Sequence, residues 1–295
     1  MRRFLFLFAL ALAFAMAGIP ARADNPPPSS PALSDVPELN EGFRLLYTLH
    51  FPEARSTFHD WGDAHPGEPF PQAAIAASYL FEELYRQGVL TSDFFLNEKK
   101  FLHGIDGKPN AERMKDFRGA LTNARALAKA RLAEHPKDPE ALFALAISAG
   151  MESNAYSILE KKHLDALKMI KESNQYAKEL LAQNPEALDA YVALGSANYI
   201  IGSLSGGTRF VLWFGNIHGD KKLGMEQMQN AADHGRYLKP FAQILLALAA
   251  RREKQNPLAQ KLLRELTEEF PSSTLFASEY AKVMGLPIPA EMRPN

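Results

Sequence analysis

Cysteine is missing from all 295 residues. Its absence removes disulfides, a thiolate nucleophile and every thiolate metal site, and it excludes a lipid attached through an N-terminal cysteine. An excess of either charge is missing too: 33 Lys and Arg stand against 34 Asp and Glu, a net charge of −1. Phosphate binding needs a cationic excess or stripe, so the composition argues against nucleic acid as a partner. Past residue 23 the most membrane-like run, Phe241–Ala250, is ten residues, half of the ~20 that a spanning helix takes. Motifs of catalysis are also lacking. No histidine pair has the spacing of a zinc helix, no G-x-S-x-G elbow occurs, and Gly219-Asp220-Lys221 lacks the spacing of a phosphate loop.

What is present begins with an address. Arg2 and Arg3 lead into an apolar run, Phe4–Ala17, and Ala21-Arg22-Ala23 follows. A basic start, a short apolar core and an A-x-A site read as a secretory signal peptide cleaved before Asp24. A retained anchor is the competing reading, but the run is shorter than a span. The protein is therefore expected in the periplasm, not integral to the membrane after cleavage. Residues 24–37 form a Pro/Ser-rich linker expected to be disordered, and 286–295 a short tail. An exported chain without disulfides relies on burial for stability, which 46% hydrophobic residues permit.

Between linker and tail nearly every segment has helical periodicity, such as Leu121, Ala124, Leu127, Ala128 and Leu132. No run sustains two-residue alternation, so the fold class is all-α. Four helices stop before proline, at His65-Pro66, His135-Pro136, Asn184-Pro185 and Phe270-Pro271. Twelve residues before each proline stand Ala54, Ala124, Ser173 and Ala259, all small. Eight before stand Phe58, Ala128, Ala177 and Leu263. Gly42 precedes Pro66 by 24 residues, and Tyr191-Val192-Ala193-Leu194-Gly195 carries an aromatic, a leucine and a glycine in one helix.

This pattern resembles the tetratricopeptide repeat over residues 38–285. The resemblance implies a right-handed α-solenoid of about five antiparallel helix pairs and a C-terminal capping helix. The proline spacings of 70, 49 and 86 residues depart from the repeat of about 34, and the unit near Gly235 lacks its proline. From Gly219 to Pro271 the chain also weakly resembles the tetratricopeptide repeat protein 39 group, which implies more scaffold and no catalysis. The expected pairs are Glu38–Leu49 with Pro52–Ala64, Pro71–Gln87 with Ala111–Glu134, and Glu140–Leu159 with Leu164–Gln183. Glu186–Ile201 with Lys222–His234 and Lys239–Lys254 with Pro257–Phe270 complete them, and Ser273–Met284 caps the array.

Two insertions, 89–110 and 202–220, exceed what helix turns need. The first contains Phe94, Phe95, Leu96, Phe101 and Leu102, and the second the unbroken run Phe210-Val211-Leu212-Trp213-Phe214 after Arg209. Such apolar content either packs back as core or lines a binding surface. The candidate binding residues are Arg209, Phe210, Trp213, Phe214, Tyr191, Asn198, Phe94 and Phe95; no catalytic residue, metal ligand or cofactor is expected. Glu82-Glu83 and Glu268-Glu269 read as solvated helix faces, and Arg251-Arg252 as helix C-terminal or surface charge. His59 and His65 could form a metal cluster with Asp60 and Asp63, but helix capping is the better account of His65. The functional expectation is a non-enzymatic scaffold holding a protein or peptide partner in a concave groove, in envelope assembly or transport. The alternative is a periplasmic binding protein for an apolar or amphiphilic small molecule, with Phe210–Phe214 and Phe94–Leu102 around the ligand. An enzyme without a recognisable motif is the remaining reading.

Overall fold

The structure, a computed structural model, describes residues 35–204 and 218–288. Among them every regular element is helical, with no strand. The helices are α1 (Pro37–Tyr47), α2 (Phe51–Ala64), α3 (Pro69–Arg86), α4 (Ser92–Leu96), α5 (Glu98–His103), α6 (Ala111–Glu134) and α7 (Pro139–Asn154). There follow α8 (His163–Gln183), α9 (Tyr191–Ser203), α10 (Lys221–His234), α11 (Lys239–Arg252), α12 (Asn256–Glu269) and α13 (Thr274–Met284). None of them is long and apolar enough to cross a membrane. They pack as adjacent pairs: α1 with α2, α3 with α6, α7 with α8, α9 with α10, α11 with α12, and α13 on α12.

The proline signal has a common geometry. His65, His135, Asn184 and Phe270 all leave the helix at φ between −133° and −125° and ψ between 64° and 83°. In each, the carbonyl of that residue accepts the N–H three positions on, at 2.9–3.0 Å, from Glu68, Asp138, Ala187 and Ser273. Proline at the second position of such a turn sets φ and needs no donor. The small residues upstream are where the helices meet. Ala54, Ala124 and Ala259 are wholly buried, and Ser173 donates its hydroxyl to the Ala146 carbonyl across α7 and α8 at 2.8 Å.

Three first helices end differently, with the chain turning through a left-handed residue: Leu49 after α1, Gly88 after α3 and Lys254 after α11. In all three the following N–H reaches back to close the helix, as Gln255 does to the Ala250 carbonyl at 2.8 Å. A side chain in this conformation costs roughly 1–2 kcal/mol. Lys254 is exposed, so Lys254→Gly is expected to raise stability by about 1 kcal/mol. An unchanged midpoint in urea denaturation would refute the assignment of strain to this position.

Several expected elements shift. The helix expected from Glu186 starts instead at Tyr191, preceded by a 3₁₀ turn, Leu188–Ala190. Pro185 corresponds to the turn proline Pro136, not to the helix-opening Pro139, so helical geometry waits three residues. The helix expected to run to Leu159 leaves α geometry at Asn154 and continues as a π turn, Ala155–Leu159. The 89–110 insertion is not all loop: it contains α4 and α5.

The core runs along the whole succession of pairs. Helix α7 sits at its centre, with Ala141, Leu142, Phe143, Ala144, Leu145 and Ala146 all at most 1% exposed. A helix apolar all round must be buried all round. The succession also returns on itself. Tyr47 of α1 donates its hydroxyl to the Tyr237 carbonyl at 2.9 Å, and Ser273 donates to the Tyr47 carbonyl at 3.1 Å. The Tyr237 ring lies 5.3 Å from Phe43 and 5.0 Å from Phe70, and Tyr47 lies 5.5 Å from Phe270. The first pair is thus joined to the last two by aromatic packing, worth about 0.5–1.5 kcal/mol per ring pair beyond burial.

Candidate functional site

Joining the first pair to the last places an apolar space inside the array. The cavity has a volume of about 570 Å³, within the ~300–1,000 Å³ typical of small-molecule sites. Its wall draws on almost every pair: Leu46 and Phe51, Leu80 and Leu84, Ile147 and Met151, Ile170, Val192 and Ile200, Phe241 and Leu248, and Leu275. The spacing explains this convergence. Val192, Ser196 and Ile200 recur on one side of α9, and Phe241, Ile244, Leu248 and Arg251 on one side of α11, so each helix turns a stripe inward.

The first insertion supplies part of the wall through Phe95, Phe101 and Leu102. Phe94 is buried beside them, its ring edge-on to Phe95 at 5.3 Å. Arg252 fixes this segment by donating to the Phe95 carbonyl at 3.2 Å. Tyr191 and Asn198 are not part of the lining: Tyr191 packs on the core, and Asn198 donates to Gln227 of α10 at 2.8 Å. Arg209, Phe210, Trp213 and Phe214 lie outside the described residues.

Beside the cavity sits a group the sequence did not single out. Asp189 is 2% exposed, and its carboxylate accepts the backbone N–H groups of Arg236 at 2.8 Å, Tyr237 at 3.1 Å and Leu238 at 3.1 Å. Burial pushes its carboxyl above the ordinary range, while those three hydrogen bonds pull it down. These N–H groups belong to the one turn between successive helix pairs where proline is lacking, after Gly235. A carboxylate from the 3₁₀ turn does there what proline does elsewhere.

Glu82 and Glu83 are not a solvated face: they are 6% and 1% exposed. Glu82 is held by Arg55 at 2.8 Å and Arg86 at 2.9 Å, with Arg113 at 3.3 Å. Glu83 accepts from Arg113, from the Asn110 N–H at 3.0 Å and from Gln87 at 2.8 Å. The pair pins α3 to the start of α6. Both carboxylates are occupied by cations and point to structure, not acid–base work. His65 likewise has local partners, stacking on Trp61 at 3.8 Å with Nδ1 3.0 Å from the Trp61 carbonyl. Among the described residues no group of three or more His, Asp or Glu is placed to hold a metal.

The reading from sequence changes at Arg251, and Ser92 is a further group that the sequence did not single out. Arg251 lies in the last turn of α11, yet its side chain lines the cavity and is only 20% exposed. A cation continuing the apolar stripe of Phe241, Ile244 and Leu248 was the available signal. Ser92, which opens α4, is 2% exposed and lines the same space. Compared with known proteins, the chain matches no protein-family model, no curated protein and no solved structure.

Proposed function

We propose that this chain is an exported, non-enzymatic binding protein for an apolar or amphiphilic small molecule, built as a right-handed α-solenoid of tetratricopeptide type. The cavity of about 570 Å³ carries the reading, because its lining comes from helices throughout the chain and is mostly apolar. A void of this size has no use as core, since interiors otherwise close to near-crystalline density. The repeated proline turns and small contact residues support the solenoid class. The leader at residues 1–23 supports a periplasmic site of action. A peptide partner in an open groove fits less well, because the bonds from Tyr47 to Tyr237 and from Ser273 to Tyr47 join the array's ends and turn the apolar face inward.

The test uses N-phenyl-1-naphthylamine, a neutral dye that brightens in apolar surroundings. The full chain is expected to bind it saturably with one dominant site. Ala193→Trp, which fills space at the wall, is expected to lower dye affinity at least tenfold while far-ultraviolet circular dichroism holds. Absence of saturable binding by the wild type would sink the proposal. Equal binding by Ala193→Trp would move the dye to another site.

A further inference from the structure

We infer that the guest is a single-chain amphiphile with a carboxylate head, and that Arg251 holds that head; this rests on the cavity being a ligand site. The cavity wall is mostly apolar, and two of its polar groups are donors without acceptors. The Arg251 side chain makes no hydrogen bond, and its Nη1 is buried without a hydrogen-bond partner. The nearest carboxylate oxygen, Glu279 Oε2, stands 3.8 Å from Nη1, beyond hydrogen-bond reach. Glu279 is engaged elsewhere: its Oε1 accepts from Lys282 at 2.8 Å, and Lys282 also bonds Asp93 at 2.8 Å. The neighbour of Asp93 in sequence is Ser92, whose buried hydroxyl is also without a partner. An ion network thus joins Arg251 through Glu279 and Lys282 to Asp93, the residue after Ser92.

A buried guanidinium N–H left unpaired is costly, and a structure retains one where something else supplies the acceptor. The acceptor that fits a planar fork of donors is a carboxylate, bound through two parallel N–H···O contacts. The Ser92 hydroxyl is a further unpaired donor on the same cavity wall. Most of the remaining wall is hydrocarbon, which favours burial of an aliphatic tail. A fatty-acid-like molecule combines both demands. The lining also carries one unpartnered acceptor, Asn174 Oδ1, which would instead suit a hydroxyl head. The two heads can therefore be told apart.

The experiment is competition of dodecanoate and dodecanol for the cavity, both read by displacement of N-phenyl-1-naphthylamine at pH 8. Dodecanoate is expected to bind the wild type at least tenfold more tightly than dodecanol. Arg251→Met, which keeps the aliphatic bulk, is expected to bring the ratio close to one, and Arg251→Lys to leave it intermediate. Equal affinities in the wild type, or tighter dodecanol, would overturn the carboxylate assignment without needing any variant. A dye that binds while neither amphiphile displaces it also overturns this assignment but leaves the cavity reading intact. A dye that does not bind refutes the cavity reading itself.

Discussion

Asp189→Ala is expected to cost about 3–5 kcal/mol, the range seen when one member of a buried charged interaction is removed. The substitution removes the carboxylate to which the N–H groups of Arg236, Tyr237 and Leu238 donate. A buried donor so orphaned costs about 1–3 kcal/mol, partly offset here because an unfavourably buried carboxylate also disappears. The loss is large against a total stability of about 5–15 kcal/mol. The damage also propagates, because the Tyr237 carbonyl receives the Tyr47 hydroxyl that joins the first pair to the later ones. Asp189→Asn separates acceptor loss from charge loss. Asn keeps one oxygen, which can serve Arg236 and Leu238, but turns an amide N–H₂ toward the Tyr237 N–H. It is expected to fall between wild type and Ala in urea denaturation. An Asp189→Ala midpoint within 0.5 kcal/mol of wild type would show that the turn after Gly235 holds itself.

How much of this was legible follows from the range over which each signal acts. Helix ends before Pro66, Pro136, Pro185 and Pro271 were readable, because the constraint of proline on its predecessor is local. The helix pairs were readable for a related reason: Ala54, Ala124, Ser173 and Ala259 keep one distance from those prolines. The start of α9 departs from the expected Glu186 because Pro185-Glu186-Ala187-Leu188 copies the letters of Pro139-Glu140-Ala141-Leu142. The first proline is a turn proline and the second opens a helix behind the Asp138 cap, whose carboxylate accepts the Ala141 N–H at 2.8 Å. The closing contact of Tyr47 with Tyr237 spans 190 residues, and nothing local announces it. Without it the apolar stripes read as an open groove. The same holds for Glu82 and Glu83, whose burial depends on Arg55 and Arg113 arriving from other helices.

The opposite fate of two glycines tests the packing that makes the cavity possible. Both stand inside helices, where Gly→Ala ordinarily gains about 0.5–1 kcal/mol through lower backbone entropy. Gly119 of α6 is exposed and a methyl there meets nothing within 4 Å, so Gly119→Ala is expected to stabilise by that amount. Gly224 of α10 faces α9 at closest approach. A methyl on it would lie 2.5 Å from the Tyr199 nitrogen and 2.8 Å from the Gly195 carbonyl oxygen. These are backbone atoms of a helix, so no rotamer change relieves the overlap and α9 must move away from α10. Such overpacking costs about 1–3 kcal/mol where side chains can yield and more where they cannot, so Gly224→Ala is expected to lose at least 3 kcal/mol. Because Val192, Ala193, Ser196 and Ile200 of α9 form one wall of the cavity, the displaced helix should also weaken dye binding at temperatures where the variant is still folded. A Gly224→Ala protein as stable as Gly119→Ala would mean that α9 and α10 do not touch along this seam. The inward stripe of α9 would then lose the support that holds it against the ligand space.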